Sequence, residues 1–144
     1  PEIILAGRRV NDSMGQYVAM EVIKLMLKKD IKIKGGNILV LGITFKENCP
    51  DVRNTKVVDV IRELQGFGTK VTIYDPWANP EEVMHEYGLK TTKSHPEPVE
   101  GFDAIVLTVA HQEFLNLDLK ALLNPKGIIY DVKGVLINQV DGRL

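Results

Sequence analysis

Glycine is scarce where a nucleotide-binding fold would need it most. The first long apolar stretch, NILVLGITF at residues 37–45, runs directly into KENCPDVRN, and Gly42 is the only glycine between residues 37 and 54. A backbone cradle for a dinucleotide pyrophosphate requires G-x-G-x-x-G at this turn, with an acidic residue about 20 positions on for the ribose. Asp75 lies too far along for that role, so the chain is not an autonomous NAD-binding fold. Cysteine is represented once, by Cys49, which excludes an internal disulfide and fits a reducing compartment; the expected location is the cytoplasm. Charge of either sign is not in excess: 18 basic against 19 acidic side chains leave a net charge of -1, and no field that would collect nucleic acid or an anionic membrane. No apolar run approaches the roughly 20 residues needed to span a bilayer, and no segment resembles a signal peptide. No metal-ligand pattern stands out either. The chain starts at Pro1 rather than at methionine, which suggests a piece of a longer protein.

What is present is an alternation of helix and strand patterns. Over residues 11–29 the apolar residues Met14, Tyr17, Val18, Val22, Leu25 and Met26, and again Met20, Ile23 and Leu27, predict a helix apolar on more than one side, with Asn11, Asp12 and Ser13 available to cap it. Such a helix needs two packing partners, its own sheet and a further domain or second subunit. Gly35 and Gly36 break the pattern before NILVLGITF, a continuous apolar run of strand length that reads as buried on both faces. Val57, Val58, Ile61 and Leu64 then keep helical spacing up to the stop signals Gly66 and Gly68. KVTIYDP, a short helix at 80–87, the strand DAIVLTV at 103–109, a short helix at 117–123 and the strand GIIYDVKG at 127–134 complete the series. The polar stretch KTTKSHPEPVEG is a connection carrying at most a short edge strand. The alternation predicts an α/β fold: a Rossmann-like, doubly wound, mainly parallel sheet preceded by a long N-terminal helix.

In open parallel sheets ligands bind beyond the carboxyl ends of the strands, near the point where strand order reverses. Those ends carry Phe45 and Lys46, then Asp75, then Thr108 to His111, and finally Asp131 to Lys133. Around the first turn, Lys46, Arg53 and the N-terminus of the following helix, which Asn54 or Thr55 could cap, converge on a site suited to an anion held by side chains. The plainer alternative is that Lys46 and Arg53 are solvated loop charges paired with Glu47 and Asp51. Cys49 is a nucleophile only if a base approaches it; His111 is the one histidine that could do so through the fold, and otherwise caps a helix or is solvated. A packing role for Cys49 is the competing reading.

The run GITFKENCPDVRNTKVVDVI, preceded by GRRVNDSMGQYV and followed by TIYDPWA and YDVKGVL, closely resembles the C-terminal part of the UDP-glucose/GDP-mannose dehydrogenase family. The ENCPD variant is similar to the bacterial UDP-N-acetylhexosamine 6-dehydrogenases of polysaccharide biosynthesis. The resemblance implies that residues 1–34 are the end of a central dimerisation helix and residues 35–144 a C-terminal UDP-sugar-binding domain, in an enzyme that oxidises the sugar C6 alcohol to a carboxylate with two NAD and a cysteine thioester. It further implies that Phe45, Lys46 and Lys133 contact substrate, that Arg53 reaches the pyrophosphate of NAD bound mainly by another domain, and that the whole enzyme is a homodimer. The nucleophilic cysteine and the glycine-rich NAD turn of such enzymes precede the segment that this chain matches, so no catalytic residue is assigned here and this chain alone is expected to be inactive. The alternative from another class is a stand-alone α/β regulatory or protein-interaction module without catalysis.

Overall fold

The structure, a computed structural model, describes residues 14–97, 101–137 and 140–144. The capping residues Asn11 to Ser13, and Arg8 and Arg9 within the motif GRRVNDSMGQYV, lie outside the described residues. Helix α1 (Met14–Lys28) leads into β1 (Asn37–Leu41), α2 (Val57–Gly66), β2 (Lys70–Tyr74), α3 (Pro80–Tyr87) and β3 (Phe102–Leu107). Two four-residue helices, α4 (Gln112–Leu115) and α5 (Leu119–Leu122), then precede β4 (Leu123–Asp131) and the two-residue β5 (Gly142–Arg143). The strands form one sheet in the order β2-β1-β3-β4-β5, every neighbouring pair parallel. This is the expected doubly wound α/β arrangement, and its order reverses between β1 and β3.

Strand pleating divides the core in two. From β1, β3 and β4 the residues Ile38, Val40, Ala104, Val106, Ile128 and Tyr130 face α1, α2 and α3, whereas Leu39, Leu41, Ile105, Leu107 and Ile129 face α4 and α5. Both sets are buried, which is why these strands read as unbroken apolar runs rather than as alternating ones. Helix α1 buries Gly15, Val18, Ala19, Val22, Ile23 and Met26, and its backbone approaches α2 so closely that a Cβ on Gly15 would stand 2.6 Å from the Cβ of Asp59. Its opposite side leaves Tyr17, Met20 and Leu27 exposed, as a helix apolar on two sides requires.

Several features differ from the sequence expectation, among them the bounds of β1, expected to run to Phe45 but ending at Leu41, and of β4, expected at 127–134 but observed at Leu123–Asp131. The helix expected at 117–123 is instead the pair α4 and α5, because strand pairing with β3 begins at Leu123. The strand expected at 103–109 begins and ends earlier, at Phe102 and Leu107; Thr108 and Val109 turn back so that their N–H groups donate to the Leu41 carbonyl. Strand β5 has no apolar pattern to announce it: it is held by the pairing of Gly142 and Arg143 with Tyr130 and Asp131, while Asp141 accepts from the Ile129 amide. Among its described residues the polar connection contributes a single bridge, Tyr74 to Thr92. Among the described residues no helix is long and apolar enough to cross a membrane.

Candidate functional site

The candidate site forms where β1, β3 and β4 end. A cleft of about 220 Å³ lies between these ends, the N-terminus of α2 and the first turn of α1. Phe45 and Lys133, from opposite sides of the strand reversal, both line it; Thr44, Thr55, Thr108 and Val109 are among its other walls. The Thr55 hydroxyl accepts from the Val57 amide at 3.2 Å and so serves the start of α2. Asn54 does not cap; it takes a left-handed backbone instead, with φ 57°.

The turn from Gly42 to Asn54 has no regular secondary structure, and side chains from elsewhere hold it. Gly42 sits at φ 97° in the crossing between β1 and the end of β3, where a Cβ would lie 2.5 Å from that of Val109. The Phe45 amide closes the turn by donating to the Asp51 carbonyl at 2.7 Å. On one flank the Tyr87 hydroxyl donates to the carbonyl of the buried Val52. On the other stands Asp75, at the end of β2 and fully buried. Its Oδ2 accepts from the amides of Ile43 and Thr44, and its Oδ1 from those of Trp77 and Ala78. Burial by itself would push this carboxyl up, but the His111 hydrogen bond and those from the Ile43 and Trp77 amides outweigh it and hold the carboxyl below the usual carboxylate range.

His111, also fully buried, completes the arrangement. Its Nε2 lies 3.0 Å from Asp75 Oδ2 and 3.1 Å from Thr44 Oγ1, and its Nδ1 accepts from the Asn48 amide at 2.9 Å. The ring stacks on Trp77 and tilts against Phe114. This corrects both plain expectations for His111: it stands at the N-cap position of α4 but makes no side-chain cap there, and it is not solvated. Both ring nitrogens are engaged, so His111 is not available as a base for Cys49, whose thiol is half-buried in the same turn.

Of the other sequence candidates, Lys46 is exposed at the turn and does not line the cleft. Arg53 is exposed too, and Asp51 grips its guanidinium, with Nε to Oδ1 at 3.0 Å and Nη2 to Oδ2 at 3.2 Å. That is the plain pairing weighed for Arg53, and the hydrogen bond lowers the Asp51 carboxyl from its ordinary value. Lys133 is positioned from below by Asp131: the buried carboxylate accepts from the amides of Lys133, Gly134 and Leu136 and so shapes the loop after β4. Sequence reasoning missed Asp75, Asp131 and His111 as the organisers of this end of the sheet. A signal for the first two was available, since an Asp at a strand end with Pro76 directly after it, or with Gly134 three residues on, is ready to accept from the next amides.

Comparison with known proteins identifies the family. A sequence model described as the UDP binding domain of the UDP-glucose/GDP-mannose dehydrogenase family matches residues 39–138. The chain is 47% identical to the UDP-N-acetyl-D-glucosamine 6-dehydrogenase of Salmonella typhi, covering 100% of this chain and 34% of that protein, and 48% identical to the enzyme of the same name from Pseudomonas aeruginosa, covering 94% and 32%. Among solved structures, the UDP-D-ManNAc dehydrogenase of Pyrococcus horikoshii superposes with a TM-score of 0.72 at 26% identity, over 94% of this chain and 31% of that one. The chain thus spans about a third of the length of these relatives. With the UDP-binding-domain pattern running through most of its length, the chain belongs to the UDP-glucose/GDP-mannose dehydrogenase family.

Proposed function

We propose that this chain is the nucleotide-sugar-binding domain of an NAD-dependent UDP-sugar 6-dehydrogenase acting on a UDP-N-acetylhexosamine, which it oxidises at C6 to a uronic acid for polysaccharide biosynthesis in the cytoplasm. The observation that carries it is that Phe45 and Lys133, brought from two strand ends 88 positions apart in sequence, line one cleft at the reversal point of a chain whose family pattern is a UDP binding domain. In this reading Phe45 packs on the substrate, Lys133 offers an ammonium group from the cleft wall, and Lys46, exposed next to Phe45 and outside the lining, reaches the diphosphate from the rim. Residues 1–34 would belong to the dimerisation helix region and residues 35–144 to the binding domain. The apolar stripe of Tyr17, Met20 and Leu27 on α1 supports a second copy as the partner of that helix.

NAD supplies the hydride acceptor in such a reaction, twice over for an alcohol taken to a carboxylate. The first turn fits no phosphate cradle, since Gly42 is packed on Val109 rather than open to a ligand. Arg53 fits a single contact: with Nε and one Nη2 hydrogen taken by Asp51, the rest of its exposed fork points outward and is suited to a pyrophosphate held by another domain.

Calorimetric titration with UDP and with UDP-N-acetylhexosamines tests the reading. Lys133→Ala and Lys46→Ala are each expected to cost about 2 kcal/mol of affinity, the worth of a charge-assisted hydrogen bond. Arg53→Ala is expected to leave UDP affinity unchanged. Binding that ignores both lysines, or NAD turnover by the 144-residue chain itself, would overturn the proposal.

A further inference from the structure

We infer that His111 is a positioning residue for the ligand turn: as the neutral tautomer with its hydrogen on Nε2, it holds Asn48 and Thr44 so that Phe45 and Lys46 stand at fixed places beside the cleft. The inference rests on the nucleotide-sugar reading of that cleft. The tautomer follows from donors and acceptors alone. A backbone N–H only donates, so the Nδ1 atom 2.9 Å from the Asn48 nitrogen carries a lone pair, and the ring hydrogen is on Nε2, shared between Asp75 Oδ2 and Thr44 Oγ1. The Thr44 hydroxyl in turn donates to the Lys46 carbonyl at 3.0 Å. A chain of contacts therefore runs from the end of β2, through an imidazole delivered by the end of β3, to the backbone on either side of Phe45.

Asn48 shows why such a rivet is needed. It stands at φ 53°, a left-handed conformation that asparagine enters more readily than most residues and that its neighbours fix here. The hold is double: the Asn48 amide donates to His111, and the Asn48 Oδ1 accepts from the Gln112 amide at 2.9 Å. Both anchors lie on the segment after β3, so the turn after β1 is docked on its neighbour instead of being built from glycines. Trp77, stacked on the imidazole with ring centroids 6.0 Å apart, and Phe114 close the ring off from water.

Two substitutions separate the ring nitrogens. His111→Asn offers an acceptor near Nδ1 but no donor toward Asp75; His111→Gln offers the donor but leaves the Asn48 amide without its acceptor. The expected result is that His111→Asn loses the more thermal stability, because Asp75 loses its side-chain donor, and weakens UDP about two- to threefold through the lost Thr44 contact, whereas His111→Gln weakens UDP about three- to tenfold through the lost Asn48 anchor. Affinities that fall in step with stability in both variants, or an unchanged affinity in His111→Gln, overturn the positioning role. Two measurements on the unsubstituted chain guard against variants that do not fold. Nitrogen NMR of the ring must show the hydrogen on Nε2, and the Asn48 amide must be protected from exchange; a hydrogen on Nδ1 or a freely exchanging amide overturns the inference alone. An unsubstituted chain that binds no UDP overturns it together with the nucleotide reading, so the two failures are distinguishable.

Discussion

Asp75 has no exposed surface, and its two oxygens accept from four backbone amides and from His111. Its carboxyl is held below the ordinary range, so it contributes stability that is present above the unfolded value of about 3.9 and lost as pH falls through the lower folded value. Acid unfolding followed by circular dichroism is therefore expected to show a loss below about pH 4 that Asp75→Asn removes, with that variant already less stable at neutral pH by about 3 kcal/mol. An identical acid profile in the variant would refute this. At the same scale, the sequence identifies which residue types gather at the strand ends but not what they do there. The left-handed backbone of Asn48 and Asn54 was not read from the sequence, which offered Asn54 only as a helix cap, although asparagine tolerates that conformation far better than most residues. His111 was not legible either, because its role depends on partners 36, 63 and 67 positions away.

The turn from β1 to α2 gains its shape at the level of the element. Gly42 lies where a left-handed backbone and a close crossing coincide, so Gly42→Ala is expected to destabilise the chain by roughly 2–4 kcal/mol in chemical denaturation, from strain and from the clash with Val109. A change under 1 kcal/mol, judged against the ordinary spread of surface substitutions of about 0.5 kcal/mol, would show that the crossing yields. Strands β1, β3 and β4 were readable as continuous apolar runs because helices cover both faces of the sheet. Helices α4 and α5 were not separable by pattern: four-residue helices are too short to show a period, and Asp118, accepting from the Ala121 amide, starts the second only once the chain has turned back toward β4.

For the whole molecule, the exposed stripe of Tyr17, Met20 and Leu27 on α1 is the place where a second copy is proposed to pack. Met20→Glu with Leu27→Glu is expected to shift sedimentation toward the monomer while UDP affinity is retained, because the stripe faces away from the residues of α1 that line the cleft, Met14, Gly15 and Val18. A chain that is monomeric before the substitution, or a double variant that still self-associates, would remove this surface from the assembly.

The sequence by itself determined the α/β class, the parallel sheet, the buried strands and the family, because hydrophobic periodicity and turn residues act locally and the motif around Phe45 and Arg53 is contiguous. Only the tertiary structure decided that Phe45 and Lys133 share one cleft, and that His111 locks a turn rather than serving Cys49. The physical reason is that hydrogen bonds among buried side chains depend on strand order, and the reversal between β1 and β3 brings together residues that no local pattern connects.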